Sequence, residues 1–113
     1  MIIFLYGQNS YGIIQYVNEL INRYQKKYPD SFNLHRFDLE EDNPDEIKNA
    51  IKGVSFFKQV KFIVTKNPFS QPALIEKVIR ENGIAGQKET VLLLYEAKTA
   101  EELNKKGEKL FNL

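Results

Sequence analysis

The sequence predicts one α/β domain built on a doubly wound parallel sheet. Four apolar runs alternate with four amphipathic stretches over 113 residues, which gives the order βαβαβαβα. Two of the runs, residues 2–6 and 90–95, are almost continuously apolar, as strands covered on both faces must be. Right-handed crossovers then set helices on both faces of a parallel sheet.

Taken in order, residues 2–6 are the first strand and a helix begins at Ser10. Ile13, Ile14, Val17, Leu20, Ile21, Tyr24 and Tyr28 share one face of that helix, with Asn18, Glu19, Asn22, Arg23 and Lys26 opposite. Lys26 and Lys27 suit its negative end and Pro29 stops it. Residues 32–37 alternate more and carry Asn33, His35 and Arg36, the pattern of an edge strand. Asn43-Pro44-Asp45-Glu46 opens the second helix with an N-cap, a proline at the first helical position and a capping-box Glu. Ile47, Ala50, Ile51 and Val54 are its expected buried stripe. Residues 60–64 follow as the third strand. Residues 70–82 form the third helix, with Leu74, Ile75, Val78 and Ile79 inward and Gly83 at the C-cap. After the fourth strand, Thr99-Ala100-Glu101-Glu102 is a capping box that starts a last helix, with Leu103, Leu110 and Phe111 inward.

Composition narrows the function. Sixteen Lys and Arg against fifteen Asp and Glu leave a net charge of +1, so no global field recruits nucleic acid or a membrane. The chain has no cysteine, which excludes disulfides, thiolate zinc sites and Cys nucleophiles and suits a cytoplasmic protein. The opening apolar run is too short for a signal peptide or a membrane span.

Doubly wound sheets bind ligands beyond the carboxyl ends of their strands, so function is sought there first. The first strand runs into Gly7-Gln8-Asn9-Ser10-Tyr11-Gly12-Ile13-Ile14, which has the position and glycine spacing of a phosphate-binding loop. The chemistry of that loop is missing. Ile13 stands where a Lys would reach the β and γ phosphates, and Ile14 stands where a Ser or Thr would hold magnesium. The third strand ends Val64-Thr65-Lys66 with no metal-ordering Asp, and the fourth ends Leu94-Tyr95-Glu96 with one carboxylate. No cofactor, metal or small-molecule substrate is therefore expected. The rival reading is a small NTPase or kinase with an atypical phosphate loop, which magnesium-dependent ATP binding would reveal.

Other clusters read as ordinary surface. Asp38, Glu40, Glu41, Asp42, Asp45 and Glu46 lack the glycine and the terminal Glu of a calcium loop, and suit a solvated loop with helix-cap charges. His35, the only histidine, has no partners for metal or nucleophilic chemistry. Lys98, Lys105, Lys106 and Lys109 are interleaved with Glu101, Glu102 and Glu108, a solvated helix face rather than a phosphate-binding stripe. Phe56 and Phe57, within Gly53-Val54-Ser55-Phe56-Phe57-Lys58-Gln59, are different. Two adjacent Phe residues cannot easily enter one core from a short connection. Either one packs under the sheet while the other covers the helix end, or an exposed ring is a protein-binding anchor.

Several segments together resemble the N-terminal domain of the delta subunit of bacterial DNA polymerase III, a clamp-loader subunit. They are Phe4-Leu5-Tyr6-Gly7-Gln8-Asn9-Ser10-Tyr11, Val54-Ser55-Phe56-Phe57, residues 60–67, and Val91-Leu92-Leu93-Leu94-Tyr95-Glu96 followed by Lys98. The resemblance covers essentially the whole chain, while Gly12 departs from the apolar residue usual at that point. It implies a RecA-like AAA+ fold with a degenerate nucleotide site and no ATPase activity. It further implies that Phe56 and Phe57 are a hydrophobic wedge that enters a pocket of the sliding clamp, the beta subunit, and helps open it. Phe57 is the firmer match, since the position of Phe56 often holds another large apolar residue. Burying both rings fully would contribute about 3–6 kcal/mol, so flanking contacts are needed for tight binding. Family members carry two further domains, a lid and a collar that holds the loader together. This chain is therefore expected to be one domain, residues 1–113, excised from a longer protein. Other loader subunits would be met through the absent domains, and DNA only indirectly.

Overall fold

The structure, a computed structural model, describes residues 1–7, 10–86 and 88–96. Its elements are β1 (Ile2–Leu5), α1 (Ser10–Lys27), β2 (Leu34–Asp38), α2 (Pro44–Lys52), β3 (Lys61–Lys66), α3 (Pro72–Asn82) and β4 (Thr90–Tyr95). The expected last helix lies outside the described residues. The four strands pair in parallel in the order β1-β4-β3-β2, with Ile3 opposite Leu93, Ile63 opposite Leu92 and Leu34 opposite Phe62.

Alternation along each strand divides the core into two layers. On one face α1 lays Val17, Ile21 and Tyr24 over Phe62, Val64 and Leu93. On the other, Ile47 and Ile51 of α2 and Ile75 and Val78 of α3 cover Ile63, Leu92 and Leu94. The doubly wound arrangement expected from the βα alternation is thus present, and β2 is an edge strand as its polar residues indicate. The continuous apolar run of β1 packs on both faces, Ile2 and Phe4 against one layer and Ile3 and Leu5 against the other. Among the described residues β1 pairs with β4 alone, so it too lies at an edge, and its side chains are half-buried.

Local chemistry sets the ends of the helices. Asn43 caps α2 by accepting from the Asp45 N–H, with Pro44 in the first turn. Gly83 ends α3 in the left-handed region, φ 59°, where a side chain would be strained. Lys61, buried in β3, reaches back to donate to the carbonyls of Ala50 (2.7 Å), Ile51 (2.8 Å) and Gly53 (2.6 Å). Its ammonium thereby meets the orphan acceptors and the negative pole of α2. Burial pushes its pKa down from the usual lysine value, while the three carbonyls favour the charged form.

Two expected core residues are corrected. Val54 follows the helical spacing of α2, yet the helix ends at Lys52 and Gly53 turns the chain outward, leaving Val54 92% exposed. Ile14 is exposed on α1, and of the two isoleucines only Ile13 packs against the core.

Candidate functional site

Among the described residues, the carboxyl ends of the strands hold little that resembles a reactive site. Glu96 is buried and accepts from the Phe69 N–H at 3.3 Å, so it braces the turn at Pro68–Ser70 instead of facing a ligand. The acidic residues after β2 are used locally. Asp42 accepts from the Asp38 N–H, and Asp38 accepts from the Glu40 N–H and from the Asn67 side chain. His35 stacks on Phe37, and its pKa is lowered, chiefly by burial and then by the nearby Lys61 charge. Gln8 and Asn9 of the glycine-spaced loop, and the lysines from Lys98 onward, lie outside the described residues.

One cluster of exposed apolar residues lies instead at the amino ends of the strands. Because α2 runs back from the end of β2, the segment that follows it enters the start of β3, beside the start of β2. There Phe56 is 59% exposed, Phe57 72% and Phe32 56%, alongside Val54. Neither ring of the Phe pair packs under the sheet. The Phe32 ring lies 5.9 Å from that of Phe56 and 6.0 Å from that of Phe57, so the three form one aromatic tip.

A buried amide holds the tip in shape. Asn33 is 1% exposed; its Nδ2 donates to the Phe56 carbonyl (2.9 Å) and to Gln59 Oε1 (3.0 Å), and its Oδ1 accepts from the Phe56 N–H (2.7 Å). Gln59 Nε2 donates in turn to Asp30, which also accepts from the Phe32 N–H. The backbone itself is bent hard. Residues Phe56–Lys58 form one 3-10 turn in which Phe57 (φ 56°) and Lys58 (φ 55°) both occupy the left-handed region. Non-glycine residues adopt that region at a cost, so the turn persists because its surroundings dictate it. Behind it, the Tyr24 hydroxyl donates to the Val60 carbonyl, and burial, with Tyr28 and Asp30 nearby, pushes its pKa up to about 12. Phe32, Asn33 and Gln59 do not stand out in the sequence. The available signal is a lone Asn between an aromatic residue and an apolar strand.

Fold and tip together define a class: a parallel α/β domain that presents a braced aromatic tip from the amino end of its sheet. The family model for the DNA polymerase III delta subunit matches residues 4–113, and the chain belongs to that family. Among solved structures it is similar to the Bacillus subtilis DNA clamp loader delta protein, at 23% identity and a TM-score of 0.62. That match covers 96% of this chain and 35% of the other, so the chain spans about a third of that protein. No curated protein matches the sequence. Membership of the family makes the chain a DNA polymerase III delta subunit sequence, from a family of DNA replication. Among the described residues no helix is long and apolar enough to cross a membrane.

Proposed function

We propose that this domain is the clamp-engaging part of a clamp-loader delta subunit in the bacterial cytoplasm, acting by binding and not by catalysis. Phe56 and Phe57 are the wedge, and the sliding clamp is its partner. The observation that carries this reading is the exposure of both rings on a turn that Asn33 fixes in place. Exposed aromatic groups on a preorganised backbone are what a protein-binding anchor requires. A RecA-like AAA+ shape with a degenerate phosphate loop is supported by the parallel sheet and by Ile13 and Ile14 at the Lys and Ser/Thr positions.

The area at stake sets the scale of affinity. The exposed shares of Phe56 and Phe57 correspond to about 2–4 kcal/mol of burial, which alone is a millimolar contact. Adding Phe32 and Val54 raises this to about 4–8 kcal/mol, a millimolar to micromolar range. The wedge opens the ring only through tighter binding to the open state.

The deciding experiment titrates the cognate sliding clamp with wild type and with Phe56→Ala/Phe57→Ala, both checked for folding by circular dichroism. A loss of at least tenfold in the double variant supports the wedge. Equal binding by both, or none by the folded wild type, overturns it.

A further inference from the structure

The Phe pair has a braced backbone but loosely packed rings. Asn33 holds the main chain of Phe56 at both its N–H and its carbonyl. The rings of Phe56 and Phe57 are mostly exposed, so little core packing fixes their side-chain torsions. A mobile ring must be immobilised when it enters a pocket, at an entropic cost that a ring already held in place avoids. Among the described residues, Phe32 is the only ring that pairs with either of them. The Phe32 and Phe56 rings are tilted by 55° and the Phe32 and Phe57 rings by 35°, at nearly equal separations. Tilted aromatic contacts of this kind are attractive and directional.

Phe32 is itself fixed, on a separate turn. Ser31, just before it, sits in the left-handed region at φ 56°; its N–H donates to the Tyr28 carbonyl and its carbonyl accepts from the Leu34 N–H. Asp30 accepts from the Phe32 N–H with one carboxylate oxygen (3.1 Å) and from Gln59 Nε2 with the other (3.1 Å). Asn33 joins the same two turns through Phe56 and Gln59. The turn that carries Phe32 is thus tied to the turn that carries the Phe pair, and a ring on the first has a defined place beside the second.

We propose that Phe32 is the positioning residue of the tip: its ring sets the orientation of the Phe56 and Phe57 rings before a partner arrives. The proposal rests on the reading of that pair as the wedge for the sliding clamp.

The test uses the 113-residue chain with Phe32→Tyr, Phe32→Leu and Phe32→Ala, beside wild type and Phe56→Ala/Phe57→Ala, each titrated with the cognate clamp and unfolded in urea. Phe32→Tyr keeps the ring and should bind within about twofold of wild type. Phe32→Leu keeps apolar bulk without a ring; it and Phe32→Ala should bind about three- to tenfold more weakly. Urea midpoints should stay near that of wild type, since the side chain is largely exposed. In the uncomplexed chain, three-bond Hα–Hβ couplings of Phe56 and Phe57 should report one rotamer in wild type and average toward a mixture in Phe32→Ala. Binding by Phe32→Leu as tight as wild type would reduce Phe32 to added apolar area. Rotamers unchanged in Phe32→Ala would remove its hold on the rings. Either result overturns the proposal. A wild type that binds no clamp overturns the wedge reading instead, and the couplings then decide the positioning on their own.

Discussion

Replacing Phe57 by Asn should separate stability from binding. In the core a Phe truncation costs about 3–5 kcal/mol, because packed contacts vanish and a cavity remains. Phe57 is 72% exposed, so its side chain contributes only about 0.4–0.8 kcal/mol of burial. Against that loss stands its backbone. At φ 56° it occupies a region costing an ordinary L-residue about 1–2 kcal/mol, and Asn tolerates that region better. The two effects nearly cancel or favour the variant, so Phe57→Asn is expected within about 1 kcal/mol of wild type, on the stabilised side if either. Urea unfolding measures this directly, with Phe62→Ala, a buried β3 residue, as the reference for a true core loss. Clamp binding should fall in the same variant. A destabilisation of Phe57→Asn beyond about 2 kcal/mol would refute the reasoning, since Phe57 would then be packed and not presented.

Three further outcomes concern the bracing around the tip and the buried groups near it. Asn33→Leu removes three hydrogen bonds worth roughly 1 kcal/mol each and regains some apolar burial, so a net loss of about 2 kcal/mol is expected. Hydrogen exchange at the Gln59 amide, which donates to the Phe56 carbonyl, should speed up more than exchange in β4; unchanged protection would show that Asn33 does not hold the turn. Lys61→Met strands carbonyls at the end of α2 and should cost about 1–3 kcal/mol in denaturant unfolding, an idea abandoned if the variant matches wild type. His35 has a folded pKa below its ordinary 6.5, so the unfolded chain binds more protons below that pH. Its contribution is fully present above pH 6.5 and is lost as pH falls toward the folded pKa. Unfolding of wild type and His35→Gln between pH 7 and 5 should therefore show the steeper decline in wild type, and parallel curves would count against it.

Much of the fold was legible because it depends on local pattern. The 3.6-residue repeat of Val17, Ile21 and Tyr24 located α1, and Asn43-Pro44 located the start of α2. One failure came where helical spacing continued past the end of the helix. Val54 keeps the helical phase of Ile47 and Ile51, but Gly53 has already released the chain from α2. The β1 run reads as a strand covered on both faces, yet nothing in its residues tells an edge from a centre. The Phe pair stood out as anomalous for a core. Its brace did not, because Asn33 meets Phe56 across 23 residues and only through the pairing of β2 with β3. The carboxyl ends come first under a rule for ligand clefts, which says nothing of a proposed docking tip. An apolar tip needs no cleft, only a loop that points outward.

The two consecutive left-handed residues at the tip bear on how it can be imitated. A linear peptide copying residues 53–59 would carry the same rings but not the amide of Asn33 that dictates their backbone. Placing Phe57 and Lys58 in that region unaided costs about 2–4 kcal/mol, which makes this shape roughly 30- to 700-fold rarer in solution. A mimic of the tip therefore needs a template, such as a cyclised turn or D-residues at both positions, before it needs better side chains.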